Sequence, residues 1–240
     1  MSTLLAILLF ASTTLCATYP QSIEIDLVFP RANETYAPSP YFPIVFAVQN
    51  AGTAWPLGLS LSVHIRPISS PRNDSGHGND DLWDSFNFGG DFTGSTRGNA
   101  TADPSLFVHA TNVTNGTEAQ WVIVWSLGLE NSCNTMDTQA SFATSPISMT
   151  FNAAFGAAAP NLVSAVESCS SSFNLIEVDR LNSSSTCHAD VISKEETGEG
   201  NPCGLKPLAQ TIAANVSAAM KAYAPGTLSR LTCTLNQCQY

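Results

Sequence analysis

The stretch LGLSLSVHIR at residues 57–66 decides the fold class, because apolar and polar residues alternate along it without interruption. Such a period of two is typical of a strand that buries one face and leaves the other in water. The other strand-like runs lie at 23–28, 43–50, 106–110, 121–129 and 147–155. Long strands separated by polar turns predict a mainly β fold, an antiparallel two-sheet sandwich of the immunoglobulin-like kind.

A break follows the first strand, in FPRANETYAP at residues 29–38 and the adjoining SPYFP. Pro30, Pro38, Pro40 and Pro43 remove four backbone donors there, and a strand cannot pair through proline. We therefore expect a corner, at which the chain leaves one sheet and enters the next. Its extended course also protects an open sheet edge.

After residue 155 the chain becomes rich in cysteine and in shorter elements. Runs at 173–178 and 188–192 predict strands, and residues 160–169 fit either a short helix or a strand. An apolar stripe along 207–223, between Pro207 and Pro225, predicts one amphipathic helix. We expect a signal peptide at 1–17, a β-sandwich body at 18–155 and a cystine-rich, helix-containing part at 156–240 packed on the same domain.

The first residues predict secretion. LLAILLFA at 4–11 has the length of a signal-peptide hydrophobic region and is too short to cross a bilayer. Cleavage after Ala17 would remove Cys16 and leave six cysteines, which allow 15 pairings. In an oxidising compartment we expect all six to form disulfides. They are Cys133, Cys169, Cys187, Cys203, Cys233 and Cys238.

Seven N-x-S/T sequons, each without proline at the middle position, predict N-glycosylation on the surface. Asn215 fits least well, because it falls beside the apolar stripe of the predicted helix. The seven are Asn33, Asn73, Asn99, Asn112, Asn115, Asn182 and Asn215.

The formal net charge of −10 makes nucleic acid and anionic membranes poor partners. The C-terminus, LTCTLNQCQY, is polar and carries no hydrophobic tail, so we expect no membrane anchor. Cell-wall polysaccharide or an extracellular protein remains as the expected partner.

No catalytic motif is found: the sequence lacks a G-x-S-x-G elbow, an H-E-x-x-H motif, a phosphate-binding loop and an EF-hand. We therefore predict no cofactor, no metal and no catalytic residues. The four histidines fit surface or structural roles better than metal ligation; they are His64, His77, His109 and His188.

One alternative is a glycoside-acting enzyme, which needs two carboxylates. The place for it is the irregular segment 69–105, whose acids surround Trp83 and Phe86; they are Asp80, Asp81, Asp84 and Asp91. A calcium site on the same acids lacks a recognised spacing. The favoured interpretation of the segment is a solvated loop with an aromatic side chain turned inward.

A second interpretation is a binding module, since sandwich domains present aromatic rings at loop tips. Trp55 and Trp83 are the candidate binding residues, whereas Trp121 and Trp125 share a strand face with Ile123 and belong to the core. The sequence thus favours a secreted, N-glycosylated, non-enzymatic protein associated with carbohydrate or the cell wall. The alternatives are an effector acting on a host or partner protein, and the enzyme above.

Residues 23–51 also carry a family resemblance. The segments DLVFPR, TYAP and PIVFAVQN occur there in order, and WVIVWSLGLENSC and MTFN agree more loosely. In these motifs the chain resembles a family of fungal, ascomycete secreted proteins that carry a domain of unknown function. The resemblance implies an extracellular β-sandwich protein with a cystine-rich end, and it brings no activity, substrate or catalytic residue.

Overall fold

The computed structural model describes residues 19–68, 84–89, 103–130, 132–134, 142–169, 172–181, 189–193, 200–223, 231–234 and 237–239. The predicted signal peptide lies outside these residues. Within them the protein is mainly β, with two sheets, as the alternating strands predicted.

Sheet A has eight strands in the order β14-β13-β6-β3-β1-β11-β12-β8. Their bounds are β1 Gln21–Phe29, β3 Phe42–Gln49, β6 Ser105–Thr111, β8 Ser132–Asn134, β11 Phe173–Leu181, β12 Ala189–Ser193, β13 Leu231–Thr234 and β14 Gln237–Gln239. Four of these strands come from residues 173–239, so the C-terminal part contributes directly to the sheet that holds β1.

Sheet B has six strands: five lie in the order β2-β10-β7-β4-β5, and β9 pairs with β7. Their bounds are β2 Thr35–Tyr36, β4 Leu59–Pro67, β5 Asp84–Gly89, β7 Ala119–Leu129, β9 Phe142–Ala143 and β10 Ile147–Ala153. Strand pairing among the described residues is antiparallel except for β2 with β10 and β8 with β12. The finer immunoglobulin-like assignment stays a prediction.

The core lies between the sheets, where aromatic side chains from both meet. Phe42 of sheet A stacks on Phe151 of sheet B with ring centroids 5.1 Å apart. Phe46 meets Trp125 edge-on at 5.4 Å. Trp121 and Trp125 are 0% and 1% exposed, which confirms their predicted place in the core. These contacts join the two layers, because each large ring removes much apolar area from water.

The described residues also form three α-helices: α1 Ala51–Ala54, α2 Leu162–Glu167 and α3 Ala209–Ala222. The predicted amphipathic helix is confirmed as α3, although residues 206–208 form a 3-10 turn before it. Ile212, Val216 and Ala219 are fully buried. The hydroxyl of Tyr223, at the end of α3, donates to the backbone oxygen of Val108 at 3.0 Å. The helix thereby packs against β6 and β13.

Residues 29–42 take the chain from sheet A to sheet B and back. β1 ends at Phe29 in sheet A, β2 is the edge strand of sheet B, and β3 returns to sheet A. This is the corner that the prolines predicted. Pro43 differs from that expectation, because it lies inside β3 opposite Ala110.

Two predicted strands are shorter than their patterns. β4 begins at Leu59, because Gly58 before it takes a positive φ of 70° and closes a 3-10 turn. β10 ends at Ala153, and the following turn at Gly156, with φ 82°, leaves Phe155 64% exposed.

Candidate functional site

Two surface cavities share Ala32 and Asn33 in their linings. We call these two residues the ridge and the two cavities together the corner groove. The β10 cavity has a volume of about 440 Å³ and is bounded by Ala32, Asn33, Ile147, Ser148, Met149, Thr150, Ser172 and Phe173. The α2 cavity, about 510 Å³, is bounded by Arg31–Tyr36, Ala158, Ala159, Asn161, Ser164, Ala165 and Ser168. Both volumes fall within the range of about 300–1,000 Å³ that ligand pockets occupy.

The ridge is held in place by backbone and side-chain hydrogen bonds. The backbone N–H of Asn33 donates to the oxygen of Thr150 at 2.7 Å, and the Thr150 hydroxyl donates to Asn33 Oδ1 at 3.3 Å. Asn33 has φ 62°, a left-handed conformation that asparagine adopts more readily than most residues. The residue is therefore fixed to β10 at two points.

Arg31 connects the ridge to helix α2. Its Nη2 donates to the backbone oxygen of Ser168 at 3.2 Å, and Ser168 is the C-cap of α2, where a cation is favourable. The Arg31 backbone N–H donates to the hydroxyl oxygen of Tyr36 at 3.0 Å. Burial raises the pKa of Tyr36 above its ordinary value, so the phenol remains protonated. The groove walls thus carry hydroxyl, amide and guanidinium groups.

A second polar cluster is the carboxyl pair of Glu24 and Asp26 on β1. They are 5% and 0% exposed, and because they lie two positions apart on one strand, their side chains share a face of the sheet. The backbone N–H of Asn201 donates to Glu24 Oε2 at 2.6 Å, and Gln49 Nε2 donates to Asp26 Oδ2 at 2.8 Å. Burial raises the pKa of Glu24, although the bonds from Asn201 and Asp26 oppose the rise.

The Asn201 loop that covers this pair is tied down by the disulfide between Cys169 and Cys203, with Cα atoms 4.6 Å apart. Gln49 Nε2 also donates to the backbone oxygen of Asn201 at 3.2 Å. The pair is therefore closed to a substrate, and its arrangement is that of a structural cluster rather than an exposed acid pair.

Asp84, one of the four acids in the proposed glycoside site, instead contacts His109 across the sandwich. His109 Nε2 lies 2.8 Å from Asp84 Oδ2, and the His109 ring stacks on Phe86 with centroids 3.8 Å apart. Burial alone would raise the pKa of Asp84, but hydrogen bonds from His109 and Thr111 outweigh it and lower the pKa. Asp80, Asp81 and Asp91 lie outside the described residues.

One of the two candidate tryptophans, Trp55, lies within the described structure. Trp55 is half-buried and meets Phe107 edge-on at 5.5 Å, so part of its ring packs on the core. Trp83 lies outside the described residues, as do His77 and His188. His64 is exposed on β4.

The cysteines and sequons are placed in part. Cys169–Cys203 is the disulfide found among the described residues. Cys233 and Cys238 are backbone partners in the β13–β14 hairpin. Cys133 lies in β8, and Cys187 lies outside the described residues.

Among the sequon asparagines, Asn33, Asn112 and Asn115 are exposed, whereas Asn215 is half-buried in α3. Asn73, Asn99 and Asn182 lie outside the described residues.

In the part of the chain that the structure describes, no group of three or more His, Cys, Asp or Glu side chains is arranged to hold a metal ion. None of the described helices is long and apolar enough to span a membrane.

Sequence reasoning missed both polar clusters. Glu24 and Asp26 alternate with Ile23, Ile25 and Leu27 and so resemble a solvated strand face; only the distant Asn201 loop covers them. The proline-rich break with its sequon marks the place of the corner groove in the sequence. From its composition, however, the break predicted a turn and not a cavity.

Fold and site together define a class: a two-sheet β protein with a disulfide-tied cover and a polar groove at the corner between its sheets. The chain belongs to a family defined by a domain of unknown function (DUF7136), whose model matches residues 18–233. No curated protein and no solved structure matches the chain.

Proposed function

We propose that the protein is a secreted, N-glycosylated, non-enzymatic extracellular protein whose corner groove binds polysaccharide, in keeping with a cell-wall association. The observation that carries the proposal is the pair of cavities beside the Ala32–Asn33 ridge. Their walls offer side-chain hydroxyls from Ser148, Thr150 and Ser164, which can exchange hydrogen bonds with sugar hydroxyls. The linings also include apolar side chains such as Ile147 and Ala159, which can contact the carbon face of a sugar ring.

Binding rather than hydrolysis is favoured by the charges of the groove. Among the described lining residues, Glu34 is the one carboxylate, whereas glycoside hydrolysis ordinarily uses two.

Secretion is supported by the apolar run before Ala17 and by the family match, which begins at residue 18, directly after the expected cleavage point. A disulfide and exposed sequons are compatible with the same compartment. The fungal origin implied by the resemblance is part of this proposal.

The test is co-sedimentation of the purified protein with insoluble chitin, β-glucan and cellulose, with release of soluble sugar measured in the same tubes. Ala159→Trp places a large ring in the α2 cavity and should abolish binding. Ala218→Trp is the matched control, because Ala218 is exposed on α3 and does not line the groove; it should bind normally. Trp55→Ala examines the aromatic candidate in the same assay.

Equal binding by Ala159→Trp and Ala218→Trp would reject the groove as the binding site. Release of soluble sugar by the wild type would show that the protein is an enzyme and overturn the non-enzymatic proposal. If the protein neither binds the polysaccharides nor releases sugar, the result would favour an effector that acts on a protein.

A further inference from the structure

Asn33 differs from the other described sequon asparagines in its position. It opens the triplet Asn33-Glu34-Thr35, is exposed, and lines both cavities of the corner groove. Asn112 and Asn115 lie on the exposed turn after β6, and Asn215 lies half-buried in α3; none of these three lines either cavity. A glycan on Asn33 would therefore begin inside the groove.

The Asn33 side chain is oriented before any modification. Thr150 Oγ1 donates to Oδ1 at 3.3 Å, and the Asn33 backbone N–H is bound to the Thr150 oxygen at 2.7 Å. With Oδ1 turned toward β10, Nδ2 is directed away from Thr150. Because Asn33 lines both cavities, a sugar ring joined to Nδ2 starts at the lining that the two cavities share.

We propose that an N-linked glycan at Asn33 occupies the corner groove and gates it against external polysaccharide. The gating rests on the function proposed above, whereas the placement of the glycan does not. In the transfer, Asn33 Nδ2 loses one proton and bonds to C1 of the first N-acetylglucosamine. The bond from C1 to the lipid-linked diphosphate donor breaks, and the lipid diphosphate leaves.

The groove walls match this occupant. Ser148 and Ser164, one in each cavity, present hydroxyls for the sugar hydroxyls and the acetamido group. Ile147 on one side and Ala159 on the other offer apolar contact to the acetamido methyl group and the carbon face of the ring. The same chemistry serves an external polysaccharide, so the two occupants compete for one surface.

Placement is tested on the intact secreted protein with an endoglycosidase that cuts between the first two sugars, with site occupancy followed by glycopeptide mass spectrometry. We expect Asn33 to be occupied and its glycan to be removed about tenfold more slowly in the native than in the denatured protein, since a glycan seated in the groove is cut only after it leaves the groove. The glycans on the 112–115 turn should show a smaller difference. An unmodified Asn33, or equal native and denatured rates, would overturn the placement.

Gating is tested with two variants that remove the sequon in different ways and one that keeps it. Thr35→Val is isosteric, and Asn33→Asp keeps an oxygen for Thr150 and tolerates the left-handed φ. Thr117→Val, which removes the Asn115 sequon outside the groove and keeps the Asn33 sequon, is the control. We expect both variants without the Asn33 glycan to bind insoluble polysaccharide about tenfold more tightly than the wild type and Thr117→Val, a difference of about 1.4 kcal/mol.

The outcomes separate the two proposals. Equal binding in all four proteins would overturn gating and leave groove binding intact. Binding in none of them would refute the proposed function, while the native cleavage rates would still decide whether the glycan lies in the groove.

Discussion

Removing the Cys169–Cys203 disulfide, in the double variant Cys169→Ala/Cys203→Ala, should lower the free energy of unfolding by a calculable amount. The bond closes a loop with a sequence separation of 34 residues. For a loop of that length, the lost restriction of the unfolded chain corresponds to about 3.8 kcal/mol at 25 °C. In a protein of this size that loss lowers Tm by roughly 8–15 °C.

The same variant should change the pH dependence of stability, because the bond holds the Asn201 loop over Glu24. In the wild type the folded-state pKa of Glu24 is raised above 4.5. Its contribution is therefore fully present below pH 4.5 and is lost as the pH rises through the folded pKa. If the loop opens without its disulfide, Glu24 regains water, and this pH dependence should shrink.

The assay is urea denaturation followed by tryptophan fluorescence at several pH values, for the wild type, the disulfide variant, Glu24→Gln and the triple variant. These four proteins form a mutant cycle, which isolates the coupling free energy between the disulfide and the Glu24 carboxyl. A loss of less than about 1 kcal/mol at every pH would refute the loop-closure reasoning. An unchanged pH dependence in the disulfide variant would refute the claim that the bond keeps Glu24 covered.

Three single changes give further predictions. Glu24→Gln cannot ionise and keeps an oxygen for the Asn201 N–H, so stability measured by denaturation should no longer fall as the pH rises above 4.5. Asp84→Asn should lower the free energy of unfolding by about 1–3 kcal/mol near neutral pH. Because the pKa of Asp84 is lowered from 3.8, the wild type should lose this stabilisation as the pH falls through the folded-state pKa. The stability of the variant should not change in that range. Gly89→Ala should lower Tm by at least the equivalent of about 1 kcal/mol, since Gly89 has φ 85° and an added Cβ would lie 2.0 Å from the Leu59 oxygen; an unchanged Tm would contradict that geometry.

The sequence predicts what depends on local periodicity. LGLSLSVHIR alternates because β4 packs one face on the core, and α3 shows its stripe because one side of it is buried. It does not predict clusters whose members meet only in the folded chain. Glu24 and Asn201 are 177 positions apart. An acidic residue on a strand is predicted to be exposed unless the residues that bury it are known.

The groove and the carboxyl pair are joined by a continuous series of bonds. Glu24 lies on β1, and the chain that leaves β1 brings Arg31 to the backbone oxygen of Ser168 at the end of α2. The next residue, Cys169, forms a disulfide with Cys203. In the loop that contains Cys203, the Asn201 N–H donates to the Glu24 carboxyl. Because α2 forms one wall of the groove and its end is tied to the cover of the pair, opening the cover releases one anchor of that wall. The proline-rich corner is thus one side of a closed framework, which explains how an irregular segment can keep a cavity of defined shape.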